Sequence, residues 1–265
     1  MKKELSRKEL EHIMEEIQSA KNSRVKEWKK LLTKKGRDQT GKYMVEGVHL
    51  LEEAIKANEV VEIMVQSDFA AMDAEQLKQY PVTLISAEVS RAISATETPQ
   101  GIFAVCKKRT VSVDLSVHRR LLLFDGVQDP GNIGTMIRTA DAAGIDAVIF
   151  GEGTGDLYNP KVIRSAQGSH FHLHVETGDL SEWIGKLKAA DIPVYGTAIE
   201  NAQAFTNVPP TDAFALIVGN EGAGVDPAIL DQTDNNLYIP LYGQSESLNV
   251  AIAAGILLYH LRKPI

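Results

Sequence analysis

The chain has 265 residues, 44% hydrophobic and 24% charged, with one cysteine and a formal net charge of −7. At ~150 residues per domain this is one large or two modest domains, and the composition excludes extensive disorder. Cys106 alone excludes an internal disulfide or a cysteine-rich zinc site and fits a reducing, cytoplasmic setting; a charged start and the lack of ~18 consecutive apolar residues give no expectation of export or a membrane span.

In chain order, Ser6 and Glu9 form a capping box that opens a helix over 6–20. A second helix is predicted over 23–32, then a strand at 43–45, a helix at 48–57 and a strand at 60–65. A helix near 74–79, a strand at 82–85, a helix at 87–95 and a strand at 102–106 complete a first domain over 21–108. The stretch 107–116 is polar, charged and without helical period, which sets a linker at 109–118. A second domain over 119–265 alternates strands at 121–124, 147–150, 171–175, 194–197, 215–218 and 237–239 with helices at 133–143, 161–166, 180–190, 227–232 and 248–261. Short apolar strands separated by helices indicate a parallel sheet covered on both faces, whose strand-to-helix loops are where ligands bind.

Charge is unevenly spread. Residues 1–110 hold 19 Lys and Arg against 17 Asp and Glu, whereas 111–265 hold 9 against 18. Lys21, Arg24, Lys26, Lys29, Lys30, Lys34, Lys35, Arg37 and Lys42 face only Glu27 and Asp38 in the same strip. Such a strip either neutralises phosphates or is a solvated helix face.

Three loops of the second domain carry unusual residues. In DPGNIGTMIRTADAAG, Asp129 or Asn132 caps a helix and Arg138 lies opposite Ile133 and Met136, where one helix alone reads it as a surface residue. In IVGNEGAGV, glycines at 219, 222 and 224 allow close approach of a ligand to the backbone, and helix capping is the simplest account of Glu221. This is not GxGxxG and there is no Walker lysine, so a nicotinamide or NTPase site is not expected. In IPLYGQSESLNVAIAAG, Ser245 or Ser247 starts a helix that is apolar almost all round, and Asn249 sits in its first turn. His170, His172 and His174 alternate and would share a face of the strand at 171–175, as a zinc set or as a polar, RNA-contacting edge; no metal is assigned. Cys106 ends an apolar strand as a small core residue.

In this order and spacing, the three segments resemble the signature motifs of the SpoU (TrmH-like) branch of the SPOUT RNA methyltransferases. NPKVIRSAQGSHFHLHV and VYGTA resemble the family's intervening segments, although relatives more often carry arginine near His172 and proline near His174. NSRVKEWKKLL, KYMVEGVHLLEEAI and TETPQGIFAV resemble the ribosomal-protein-like substrate-binding domain that precedes the methyltransferase domain in many members. The resemblance implies an α/β fold: a smaller α/β RNA-binding domain followed by a SPOUT domain with a parallel sheet and a deep trefoil knot. It implies a homodimer that uses S-adenosylmethionine to methylate a ribose 2′-hydroxyl, in ribosomal RNA before transfer RNA. A catalytically silent RNA-binding dimer is the alternative of another class. By position, the resemblance puts catalytic roles on Arg138, Asn132, Glu221, Ser247 and Asn249. It puts the cofactor against Thr197, Ala198, Gly219, Asn220, Glu221, Gly222, Ile239, Leu241, Ser247 and Leu248, with RNA on the basic strip. Arg138 is then expected to fork onto phosphate and hydroxyl, since a guanidinium keeps its proton.

Overall fold

A computed structural model describes residues 16–69, 77 and 79–264. The helix expected over 6–20 lies outside these residues up to 15, and the chain beyond is not helical: Glu16–Ile17 is a strand, β1. The helix expected near 74–79 also lies mostly outside the described residues. The chain divides into two compact units, Met1–Arg109 with Tyr158–Phe171, and Thr110–Leu157 with His172–Ile265.

The first unit is built on a five-stranded mixed sheet, in the order β1, β4 (Val82–Ile85), β3 (Val60–Gln66), β5 (Ile102–Lys107), β2 (Lys42–Glu46). β5 is antiparallel to β2 and β3, and β1, β4 and β3 run parallel. Alternation along the strands feeds two cores, because successive side chains point to opposite faces. Tyr43, Val45, Ile63, Val65, Ile102, Ala104 and Cys106 meet Leu50, Leu51 and Ala54 of α3 (Val48–Lys56) on one face. Met44, Met64, Phe103 and Val105 meet Val25 and Trp28 of α1 (Ser23–Lys30) and Val89 and Ile93 of α4 (Ala87–Ile93) on the other. Burial pushes the Cys106 thiol up, as befits a core residue.

Between them lies a helix that the sequence reading lacks, α2 (Lys34–Thr40), capped by the Thr33 hydroxyl and ended by Gly41 at φ +64°. A Cβ at Gly36 would run into the Lys30 carbonyl, so glycine lets α1 and α2 close on each other. The same glycine lowers helix propensity in the first turn of a short helix, which hides the element.

The segment Tyr158–Phe171 contains α6 (Pro160–Ala166) and a 3₁₀ turn at Ser169–Phe171. Ile163 and Phe171 fill the Leu51–Ala104 core. The Tyr43 hydroxyl donates to Glu59 at 2.9 Å and lies 3.4 Å from His170 Nε2. These apolar and polar contacts assign the segment to the first unit, not to the continuous 119–265 domain expected from the sequence.

The second unit is a seven-stranded, all-parallel sheet. Its order is β10 (Gln203–Ala204), β12 (Asn235–Tyr238), β9 (Val194–Thr197), β11 (Phe214–Gly219), β6 (Arg120–Asp125), β7 (Ala147–Phe150), β8 (His174–Thr177). Leu121, Leu122, Leu123 and Phe124 are all buried, as a strand covered on both faces requires. Leu121, Leu123, Ala147, Ile149, Ala215 and Ile217 pack on Leu180, Trp183, Ile184 and Leu187 of α7 (Leu180–Ala189). Against α5 (Pro130–Ala142) and β11 packs α9 (Val250–Leu261), the last helix, preceded by the short α8 (Pro227–Leu230).

The strand expected at 171–175 is replaced by the 3₁₀ turn and by β8, which begins at His174. Gln167 and Gly168 at φ +50° and +92° end α6 and turn the chain too tightly for a strand to start at 171. The three histidines therefore share no strand face. His170 is buried against Phe171, His172 pairs with Asp141 at 2.9 Å, and His174 stacks on His118. Among the described residues no cluster of three or more His, Cys, Asp or Glu is placed to hold a metal ion, and no helix is long and apolar enough to cross a membrane.

Candidate active site

Because all strands of the second unit run parallel, the loops after β6, β9, β11 and β12 leave the same edge of the sheet. The loop after β11 is a tight turn. Asn220 and Gly224 exchange main-chain hydrogen bonds at 2.9 Å, and Asn220 Oδ1 accepts from the N–H groups of Gly222 and Ala223. A Cβ at Gly219 would run into the main chain of Gly224 and Val225, so the turn requires glycine there. Asn220 Nδ2 donates to the Gly126 carbonyl, and the Asp226 N–H donates to Asp125, which ties this loop to the one after β6.

Glu221 is fixed by three donors. Its carboxylate accepts from the N–H groups of Gln128 at 3.2 Å and Asp129 at 3.0 Å and from Asn132 Nδ2 at 3.1 Å. Partial burial works to raise the carboxyl, but the Asn132 amide and the N–H groups of Asp129, Glu221 and Gln128 outweigh it and hold Glu221 below the usual carboxylate range. Asn132 Oδ1 in turn accepts from Asn249 Nδ2 at 2.9 Å, and Asn249 Oδ1 caps α9 by accepting from Ala251 and Ile252. A continuous polar chain, Glu221–Asn132–Asn249, thus joins the β11 loop, the start of α5 and the start of α9.

Beside this chain opens a cleft of about 850 Å³. Thr197, Ala198, Gly219, Asn220, Glu221, Gly222, Ile239, Leu241, Ser247 and Leu248, the ten residues expected around a cofactor, all line it, as does Asn249. Asn132 reaches the site through its bonds to Glu221 and Asn249. Arg138 does not line the cleft; it is exposed on α5, and its side chain makes no hydrogen bond or ion pair among the described residues. Leu230, Ala253 and Leu257 also line the cleft without having been singled out. Ala253, one turn after Asn249, was within reach of a helical-period argument, whereas Leu230 belongs to a four-residue helix with no pattern of its own.

The cleft suits S-adenosylmethionine. Its volume lies within the ~300–1,000 Å³ of small-molecule sites, and apolar Leu230, Ile239, Leu248 and Leu257 line it together with the glycine-rich turn at 219–224.

The basic strip divides. Arg37 is 2% exposed and donates to the Leu31 carbonyl at 2.8 Å, so it is a structural cation and not available to RNA. Arg24 is held by Glu62 and Thr83, both at 2.9 Å, with its guanidinium over Trp28. Lys30 pairs with Glu27, and Lys34 shares Asp38 with Lys108, whose hydrogen bonds lower the Asp38 carboxyl to about 2. Lys21, Lys26, Lys29, Lys35 and Lys42 make no side-chain ion pair among the described residues.

Comparison with known proteins places this geometry. Residues 119–259 match the SpoU rRNA Methylase family, and residues 22–104 match the MRM3-like substrate binding domain. The chain is 52% identical to the Bacillus subtilis 23S rRNA (guanosine(2553)-2′-O)-methyltransferase RlmP, over 94% of this chain and 100% of the relative. Its fold is similar to the AdoMet-bound rRNA methyltransferase from Sinorhizobium meliloti, with 27% identity, a TM-score of 0.85 and coverage of 94% and 97% of the two chains. It is likewise similar to the SpoU methyltransferase AviRb from Streptomyces viridochromogenes in complex with AdoMet, with 28% identity, a TM-score of 0.81 and coverage of 91% and 97%. Fold and cleft together define an RNA 2′-O-ribose methyltransferase that uses S-adenosylmethionine. The chain belongs to the SpoU rRNA methylase family.

Proposed function

We propose that this chain methylates the 2′-hydroxyl of one guanosine in 23S ribosomal RNA, the position for which RlmP is named, and that it works as a cytoplasmic homodimer. The observation that carries the reading is the Glu221–Asn132–Asn249 chain beside the cleft, in a protein alike to RlmP over that relative's whole length. Bound in the cleft, S-adenosylmethionine supplies an electrophilic methyl group on a sulfonium, so no metal is needed to activate it. Thr197, Ala198, Gly219, Asn220, Gly222, Ile239, Leu241, Ser247 and Leu248 line the cleft and would hold the cofactor.

The remaining difficulty is the nucleophile, since a ribose hydroxyl is a weak acid that must lose its proton as it attacks. Glu221, held ionised by three donors, is a poor base. Its role is to fix Asn132 and the start of α5, the helix that carries Arg138. Arg138 orients the phosphate and hydroxyl of the target by a two-pronged contact, stabilising the charge that develops. Arg138 lies off the cleft of its own chain, which supports a site completed between two copies. The exposed stripe Ile252, Ile256 and Tyr259 on α9 supplies the apolar contact for that dimer. The knot implied by the resemblance belongs to the same reading.

Ribose-methylation mapping of total RNA, with and without this protein, tests it. The expected result is loss of one 2′-O-methylguanosine in 23S RNA. Loss at a transfer RNA position instead would overturn the substrate, and no loss at any position would leave a silent RNA-binding dimer.

A further inference from the structure

A second opening lies within the first unit, and no part of the cleft or its chemistry uses it. It is a notch of about 30 Å³ whose walls include Leu32, Glu46, Thr96, Gln100, Ile163 and Arg164. Arg164, half-buried on α6, makes no side-chain hydrogen bond or ion pair among the described residues. The carboxylate at the notch, Glu46, does not neutralise it. Glu46 is taken up by the Ser94 hydroxyl at 2.9 Å, the Gln100 N–H at 2.8 Å and the Thr96 hydroxyl at 3.4 Å, and so shapes the 94–100 loop. The Gln100 side-chain amide lies across Gly47, where a Cβ would displace it, and makes no hydrogen bond among the described residues. An open guanidinium and an open amide, one a fork of donors and the other both donor and acceptor, therefore share an apolar recess.

The surroundings decide what fits. Leu32 belongs to the turn between α1 and α2, the two helices that carry Lys26, Lys29 and Lys35 without ion pairs. Lys26, Lys29 and Lys35 thus lie on the two helices that flank the turn holding Leu32, so RNA bound by them has cationic partners on both sides of that turn. About 30 Å³ admits the edge of a base or the oxygens of a phosphate, not a buried nucleoside. Resting on the assignment of an RNA substrate, we propose that one unpaired nucleotide of that RNA lies over the mouth of this notch, its phosphate oxygens on Arg164 and its base edge against the exposed Gln100. Lysines along the strip set affinity, and the notch supplies a contact that depends on the nucleotide's identity and on its being unpaired.

The test uses the full chain and a 23S RNA transcript, with RNA binding measured over a range of salt and S-adenosylmethionine binding by calorimetry. Arg164→Ala should raise the RNA Kd about tenfold and reduce the salt slope by about one, with cofactor affinity within about twofold. Gln100→Ala should raise the Kd about threefold with the slope unchanged, and Arg164→Lys should restore the slope. Ultraviolet cross-linking should join the transcript to peptides containing residues 94–100 or 158–171. Should Arg164→Ala melt early, Gln100→Ala carries the test, and wild-type affinity in it with no such cross-link overturns the proposal. Unaltered binding by the variants while the wild type binds and methylates the transcript removes the notch alone. A wild type that takes up no RNA sinks the substrate assignment with it.

Discussion

Arg138 and Glu221 show how differently two charged residues of the proposed site are held. Glu221 has its oxygens filled by three donors and acts as a brace. Arg138 has none filled, which suits a group whose partner arrives with the substrate. Arg138→Ala should accordingly leave S-adenosylmethionine binding within about threefold by calorimetry while methyl transfer falls by orders of magnitude, the signature of an interaction made only in the transition state. An undiminished transfer rate would remove Arg138 from the chemistry. At this scale the cofactor loops were legible in the sequence, because glycine, asparagine and proline at fixed offsets state a backbone geometry. The accessibility of a cation was not. Arg24 is held by Glu62 and Thr83, 38 and 59 residues away, and Asp38, the i+4 partner of Lys34, is also taken by Lys108 from 70 residues on.

Among the elements, α9 carries most of the consequence. Ala251, Ala254, Leu257, Leu258 and Leu261 are buried in their own unit, while Ile252, Ile256 and Tyr259 stand 55%, 37% and 60% exposed one turn apart. An isolated surface helix would not present that stripe to water. On the proposed homodimer, Ile252→Glu should yield a monomer in analytical ultracentrifugation with an unchanged circular-dichroism spectrum and much reduced methyl transfer; a variant that stays dimeric would place the interface elsewhere. The apolar run of α9 was visible in the sequence, but which side would be left open was not, since both sides are equally apolar. Elements defined by steric exceptions escaped notice altogether. α2 exists because Gly36 lets two helices close, and the turn at Ser169–Phe171 exists because Gln167 and Gly168 take positive φ.

For the whole molecule, the net charge of −7 conceals a division of labour. The acidic excess lies in 111–265, and the unpaired lysines lie on α1, α2 and their flanks. Replacing Lys26, Lys29 and Lys35 together with glutamine should lower the slope of log affinity against log salt for RNA by about two to three, at ~0.7–0.9 per phosphate contact. Calorimetric affinity for S-adenosylmethionine should not move, and an unchanged salt slope would show that these lysines are solvated bystanders. The alternation of apolar strands and helices was enough to read a parallel sheet from the sequence. The allegiance of Tyr158–Phe171 was not, because the residues it packs on, Tyr43, Leu51 and Ala104, precede it by more than fifty positions and leave no local pattern.

That allegiance has a meaning for the order of synthesis. A ribosome that has finished residue 109 has not yet made Ile163 or Phe171, and the core around Leu51 and Ala104 lacks two of its buried side chains. At ~5–20 residues per second the missing piece follows roughly 3 to 12 seconds later. In that interval β6, α5 and β7 have already been made. The first unit thus cannot close when its own sheet is finished, and the early half of the chain emerges with an open apolar face that only a later segment can cover.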